Sequence, residues 1–196
     1  MKKGILFSVI FAVLMAIAVP AKADNYYDKY LGQHAVAADY VLTGNGCEAI
    51  EWGVSVQENL MNSTNSSEHT LSVHVYIQKF DACLGTPGTV IIDQTFSLNP
   101  DADAFEMTKL DTARLETVIE TVDNNGDPLV IPISLQWKGI GDTEITPEVT
   151  KNPGYRYRSI DAIRRATTIG NVGDFIIDNQ LGTLEEYTYT RRIKLQ

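Results

Sequence analysis

Apolar and polar residues alternate along several stretches of this chain. Within 48–57 and within 70–80, every second residue is apolar and the residues between are mostly polar. Successive side chains of a strand point to opposite faces, so a period of two predicts strands with one face on a core and one toward water. Similar patterns cover 89–98 and 131–137. Less regular candidates are 36–42, 155–164, 175–178 and 183–195.

Turn residues separate these stretches at short intervals. The Asn125-Gly126 step lies between 115–122 and 129–137 and predicts a hairpin. The length of 112–122 also suits a helix, but its Thr and Val content favours a strand. The Asn-, Ser- and Thr-rich segment 59–67 predicts a loop. We therefore predict an all-β fold, an antiparallel β-sandwich of about nine or ten strands, Ig-like or jelly-roll-like.

The first 23 residues have the pattern of a secretory signal peptide. Lys2 and Lys3 precede a nearly uninterrupted apolar run over 4–19, and an A-x-A site follows at 21–23. A membrane anchor is the alternative, but this run of 16 residues is shorter than the about 20 that a spanning helix needs. We expect a secreted or periplasmic protein with one β-sandwich domain over 24–196 and no membrane span after cleavage.

The charge of the chain is strongly acidic. The formal net charge is −9, and removal of Lys2, Lys3 and Lys22 with the leader leaves 13 Lys and Arg against 25 Asp and Glu, a net charge of −12. Nucleic acids and anionic membranes are bound through Lys and Arg, so this balance argues against both as partners.

Cys47 and Cys83 are the two cysteines of the chain. In an exported protein, two cysteines most often form one disulfide. If the strands within 48–57 and 70–80 pair as a hairpin, both cysteines lie at its open end. Two free thiols, or a metal pair, remain the alternatives. Nothing near either cysteine suggests a reactive catalytic thiol.

Three segments carry a family resemblance. They are Asn45-Gly46-Cys47, then 73–77 leading into a D-x-C-x-G turn at 81–85, and a strand end L-x-W-x-G-x-G at 135–141. In this order they resemble an uncharacterised family of secreted bacterial single-domain β-sandwich proteins with two cysteines. The resemblance implies the same sandwich and a disulfide. The family brings no assigned activity, so no functional residue is carried over.

Local charge reverses after Pro153. A candidate binding strip interleaves arginines with tyrosines and would suit an acidic glycan or a protein partner through bidentate carboxylate contacts. The alternative is cross-strand pairing of these arginines with Asp161, Glu185 and Glu186. The candidate strip comprises Arg156, Arg158, Arg164, Arg165, Tyr155 and Tyr157.

Chemistry-bearing motifs are sparse. Asp123 and Asp127 are weak calcium candidates in a loop that the hairpin turn also explains. We find no metal-ligand or nucleophile motif, and we assign no catalytic residue and no cofactor. We expect a secreted non-catalytic protein with a binding, surface-associated or extracellular structural role. The alternatives are an exported hydrolase with sequence-dispersed catalytic residues and a small-ligand carrier with an apolar lining.

Overall fold

The computed structural model describes residues 26–43, 46–84, 88–123 and 125–194. These residues form ten strands and one short 3-10 turn at Pro100–Ala102. The predicted leader over 1–23 lies outside the described residues, so it stays a prediction. The strands are β1 Tyr26–Thr43, β2 Glu48–Ser63, β3 Ser67–Asp81, β4 Thr89–Leu98, β5 Phe105–Thr108, β6 Thr112–Val122, β7 Pro128–Gly139, β8 Glu144–Asn152, β9 Tyr155–Val172 and β10 Phe175–Ile193.

All strand pairs are antiparallel, and the strands follow the order β4-β3-β2-β1-β10-β9-β7-β6-β5. β8 lies outside this order and pairs with β9. Nine strands laid flat at about 4.8 Å spacing would separate β4 from β5 by about 38 Å. The connection over 99–104 can reach only about 20 Å. The sheet therefore folds over, and its two halves face each other as a sandwich. This meandering order differs from the Greek-key order of immunoglobulin and jelly-roll domains.

One core lies between the two halves. Trp52 of β2 and Trp137 of β7 are its largest fully buried side chains. The Trp137 indole Nε1 donates a hydrogen bond to the Val36 carbonyl of β1, 3.0 Å away, and so ties the halves together. The predicted all-β antiparallel sandwich is confirmed. Further buried side chains from both halves are Val54, Val56, Val73, Val75, Leu115, Ile131, Ile133, Leu135, Val172 and Leu184.

The disulfide between Cys47 and Cys83 is present, with Cα atoms 5.0 Å apart. It closes the open end of the β2–β3 hairpin, beside the first register pair, Glu48 with Asp81. A disulfide is typical of proteins that fold in an oxidising compartment. The described residues contain no helix of the length and hydrophobicity that crossing a membrane requires.

The predicted loop over 59–67 is wrong. β2 continues to Ser63 and β3 begins at Ser67, so only three residues form the turn. The polar side chains satisfy one another across the strands, as where Asn59 Nδ2 donates to Thr70 Oγ1 at 3.3 Å. Asn and Ser are compatible with a strand here because this end of the sheet contributes little to the core.

Candidate functional site

Several strands continue beyond the sandwich. We call these segments the extension: residues 26–33 of β1, 58–63 of β2, all of β8, 155–161 of β9 and 185–193 of β10. In the extension Asp28 and Ser159 are the only buried side chains. The remaining parts of β1, β2, β9 and β10 contribute side chains to the core. Among the residues that the structure describes, no second layer covers the extension as the sandwich halves cover each other. Both of its faces are therefore candidates for recognition.

One face of the extension carries four tyrosines, Tyr30, Tyr157, Tyr187 and Tyr189, which we call the tyrosine face. Tyr30 and Tyr189 stack across β1 and β10, with ring centroids 5.2 Å apart and planes 11° apart. The hydroxyls of Tyr157 and Tyr187 are 2.7 Å apart. The hydrogen bond with Tyr157 and burial raise the pKa of Tyr187 to about 12. Such cross-strand aromatic pairs stabilise a sheet that lacks a covering layer.

A buried carboxylate lies on the same face near the end of the sheet. Asp28 is 2% exposed, and its Oδ2 accepts a hydrogen bond from Arg191 Nε at 2.8 Å. Hydrogen bonding to this carboxylate raises the pKa of Tyr26 above its usual value. The pair joins β1 to β10 directly, because Asp28 and Arg191 are register partners. Arg191 therefore has a structural role at the end of the sheet.

The opposite side of the extension has five exposed cations: Lys29, Lys151, Arg156, Arg158 and Arg192, which we call the cationic face. In the sheet register Arg192 lies beside Arg156, and Arg156 lies beside Lys151. Within the described ranges, none of the five forms an ion pair. Arg156, Arg158 and Arg192 also line a recess of about 220 Å³ together with Thr190.

The structure divides the predicted binding strip. Side chains alternate along β9, so Arg156 and Arg158 lie on the cationic face while Tyr155 and Tyr157 lie on the opposite face. The arginines and tyrosines that alternate along this segment therefore lie on two different surfaces, and the binding role of the strip stays a prediction. The cross-strand pairs with Asp161, Glu185 and Glu186 do not form for Arg156 and Arg158 either.

The other two arginines of the strip lie away from the extension. Arg164 forms an ion pair with Asp111 and donates from Nε to the Gly141 carbonyl at 3.1 Å. Arg164 thus links β9 to the β5–β6 and β7–β8 turns. Arg165 is exposed, opposite Thr183 and seven residues from Arg158, which is about 23 Å along a strand. Neither residue can act together with the cationic face on one small ligand.

Ser55, His34 and Glu185 converge on the outer face of the sheet. His34 Nε2 is 2.7 Å from Ser55 Oγ, and His34 Nδ1 is 3.3 Å from Glu185 Oε2. The same two contacts occur in catalytic triads, where Ser55 would be the nucleophile, His34 the base and Glu185 the carboxylate that orients the base. However, Ser55 lies mid-strand between β1 and β3, where the backbone amides serve the sheet ladder. The surrounding backbone therefore offers no oxyanion hole, which acyl transfer also requires.

The calcium candidates belong to the β6–β7 hairpin turn. Asp123 Oδ1 accepts hydrogen bonds from the amides of Asn125 and Asp127, at 2.8 and 3.0 Å. The Asp127 amide bond, followed by that of Asn125, lowers the pKa of Asp123. The carboxylate of Asp123 thus holds its own turn, and Asp127 is exposed. Across the described ranges, no three His, Cys, Asp or Glu side chains group as a metal site.

Sequence reasoning missed Lys29 and Lys151 of the cationic face and Tyr30 of the tyrosine face. Lys29 and Tyr30 lie in the first half of β1, and Lys151 lies in β8. Neither segment was predicted as a strand, because neither shows apolar alternation: the first half of β1 is mostly half-buried and β8 is largely exposed. The useful signal was the pair of cationic segments at 156–158 and 191–194, which the β9–β10 pairing brings side by side.

Comparison of the sequence with protein-family models and with curated proteins gives no match. The disulfide that the family resemblance implies is confirmed, and the family itself stays a prediction.

Proposed function

We propose that this chain is an exported, non-catalytic binding protein that holds an acidic glycan on the cationic face of its extension. The observation that carries the proposal is a set of five exposed cations that have no carboxylate partner among the described residues and lie on one face of a protein with a net charge of −9. Guanidinium groups suit carboxylates and sulfates because they donate two parallel hydrogen bonds. The disulfide supports the exported part of the proposal.

The arrangement of charges is unfavourable in the absence of a ligand. Arg192, Arg156 and Lys151 occupy neighbouring positions in one row across three strands. Like charges directly opposite each other destabilise a sheet. A bound polyanion would relieve this repulsion. The row of cations therefore favours binding of an anionic ligand.

The regularity of the array favours a glycan over an acidic protein. Lys29 and Arg158 form a second row, two residues along the strands from the first, and Thr190 lies between them. In the first row the cations are one strand spacing apart, about 5 Å, and in the second row they are two strand spacings apart, about 10 Å. The two rows are about 7 Å apart along the strands. A polysaccharide with one acid group on each repeated sugar presents a line of anions that such rows can follow.

The two alternatives have less support. The Ser55, His34 and Glu185 group supplies a nucleophile and a base without backbone oxyanion donors, so it does not complete a hydrolase site. A carrier would need an apolar cavity, whereas Trp52 and Trp137 occupy the interior of the sandwich.

The test is binding to immobilised polygalacturonate by biolayer interferometry, with neutral dextran and polyglutamate as reference surfaces. We expect wild-type protein to bind polygalacturonate and not dextran, and we expect Arg156→Gln/Arg158→Gln to weaken binding about tenfold, or about 1.4 kcal/mol. The matched control is Lys79→Gln/Arg165→Gln, which removes the same charge from exposed positions outside the extension. It should bind like wild type.

Three results would overturn the proposal. Equal weakening by both double variants would make the effect one of net charge rather than of the cationic face. Tighter binding to polyglutamate than to polygalacturonate would assign the face to an acidic protein partner. Absence of binding to every acidic surface would remove the anionic ligand altogether.

A further inference from the structure

A row of mostly apolar side chains crosses the extension. Register partners of antiparallel strands point to the same face of a sheet, so a chain of partners forms a line across the strands. Four members of this line are apolar and the fifth is a threonine. The ends of the line are four strand spacings, or about 19 Å, apart. The line, which we call the apolar row, comprises Pro147 of β8, Ile160 of β9, Thr188 of β10, Leu31 of β1 and Leu60 of β2.

The apolar row lies on the same side of the sheet as the cationic face. Leu31 follows Lys29 by two residues along β1, and Ile160 follows Arg158 by two residues along β9. Side chains two residues apart on a strand share a face, and about 7 Å separates them. Val149, the register partner of Arg158, is 52% exposed and adds an apolar side chain among the cations. Cations and apolar side chains therefore form one continuous surface.

The apolar row is separate from the core of the sandwich. Its leucines and Ile160 are half-buried, and Pro147 is exposed. In the part of the chain that the structure describes, the half-buried apolar side chains that pack against the core, such as Phe96 and Phe175, include no member of the row. The row is therefore apolar surface that a ligand can reach.

The two flanks of the apolar row differ in charge. On the flank toward the sandwich, the next line of register partners contains Glu58 and Glu186. Glu58 Oε1 is 2.8 Å from His69 Nε2, and Gln33 Nε2 donates to Glu186 at 3.4 Å. On the other flank lie the cations of the cationic face. An anionic group beside the row is therefore favoured only on the flank toward the end of the extension.

We propose that the apolar row binds the acyl chain of an acidic glycolipid, whose charged sugar lies on the cationic face. Removal of an acyl chain from water is favourable in proportion to the apolar area buried, and guanidinium groups neutralise the acid. This inference rests on the proposed function and specifies that the acidic glycan is linked to a lipid.

The charges argue against two other occupants of the apolar row. A second copy of the chain packed on the same surface would bring two cationic faces together, and like charges repel. The surface of an anionic bilayer would repel a protein with a net charge of −9. A single amphiphilic molecule with one anionic end matches the row and its cationic flank without either cost.

The experiment is isothermal titration calorimetry with dodecyl glucuronide below its critical micelle concentration. Methyl glucuronide lacks the chain and dodecyl glucoside lacks the charge, and we expect each to bind at least about tenfold more weakly. Val149→Thr/Ile160→Thr should weaken the binding of dodecyl glucuronide about tenfold and leave polygalacturonate binding unchanged.

The matched control is Val130→Thr/Ile163→Thr, which makes the same substitutions at residues 60% and 39% exposed outside the extension. It should bind both ligands like wild type. Circular dichroism melting verifies that each variant is folded.

The outcomes separate this inference from the proposed function. Equal binding of dodecyl and methyl glucuronide, or equal weakening by the two double variants, would make the apolar row wrong and leave the cationic face standing. Equal binding of dodecyl glucoside and dodecyl glucuronide would also overturn the inference, because the chain would then bind without the charge. A dimer in sedimentation velocity that dissociates in Val149→Thr/Ile160→Thr would assign the row to a second copy. If dodecyl glucuronide binds as expected and polygalacturonate does not, the row stands and the proposed function fails; if neither binds, both fail.

Discussion

Removal of the disulfide should lower the stability of this protein without abolishing its fold. The perturbation is Cys47→Ala/Cys83→Ala, which breaks the link at the open end of the β2–β3 hairpin. Cys83 is exposed and Cys47 only half-buried, so the substitutions remove little packing. The hairpin itself retains its register from Glu48–Asp81 to Asn62–Ser67. The expected effect is therefore mainly on the unfolded chain.

The magnitude follows from the length of the closed loop. The two cysteines are 36 residues apart, and the chain-entropy relation gives about 4 kcal/mol for such a loop. For a domain of this size, each kcal/mol shifts the melting temperature by about 2–4 °C, so we expect a decrease of roughly 12 °C.

The assay is thermal unfolding followed by circular dichroism, with and without reductant. Reductant should lower the melting temperature of wild-type protein to that of the Cys47→Ala/Cys83→Ala variant and should leave the variant unchanged. Alkylation of unreduced wild-type protein should detect no free thiol. The reasoning is refuted if the variant melts within about 2 °C of wild type, since the loop-entropy relation would then not apply to this hairpin.

Two further predictions concern packing and ionisation. A Cβ added at Gly170, which has φ 135°, would lie 1.9 Å from the Ser134 carbonyl oxygen, so Gly170→Ala should prevent stable folding. At Gly53 the nearest contact of an added Cβ is 3.7 Å, so the control Gly53→Ala should melt close to the wild-type temperature. Equal melting temperatures for the two variants would contradict the β7–β9 packing. The folded pKa of Tyr187, about 12, exceeds the usual value of 10.0, so its stabilisation should be complete below pH 10 and lost as the pH rises to about 12. Absorbance titration at alkaline pH should detect this late tyrosine and find it shifted toward its usual value in Tyr157→Phe, and an unchanged titration would refute the hydroxyl pair.

The sequence predicts the strands whose side chains alternate between core and solvent. β6, at Thr112–Val122, has the predicted bounds, and β2, β3 and β7 extend the predicted alternating stretches. In each, burial decides the side-chain type at every second position. This regularity is what hydrophobic periodicity can detect.

Strands that leave the core are not detected in this way. The first half of β1 and all of β8 belong to the extension, where little is buried and alternation is lost. β10 was predicted as two pieces, over 175–178 and 183–195, because a register shift between Ile177 and Gln180 changes which side chains face inward. A β-bulge inserts an extra residue and reverses the phase of the pattern.

The candidate site depended on information that the sequence pattern does not contain. The charges of Arg156 and Arg158 were visible, and side-chain alternation in the predicted strand already separates them from Tyr155 and Tyr157. Their neighbours Arg192 and Lys151, however, follow only from the pairing of β9 with β10 and β8. The ion pair of Arg164 with Asp111 joins residues 53 positions apart and required the folded chain. Pattern analysis locates basic segments, whereas register decides which of them form one surface.

Hydrogen–deuterium exchange with and without polygalacturonate tests the central claim most directly, because it locates the ligand on the folded protein. We predict slower exchange in peptides covering 151–158 and 188–194, which contain Lys151, Arg156, Arg158 and Arg192 of the cationic face. Peptides from β6 should be unchanged. Slower exchange confined to the sandwich strands, or no change at a saturating concentration of glycan, would contradict the account.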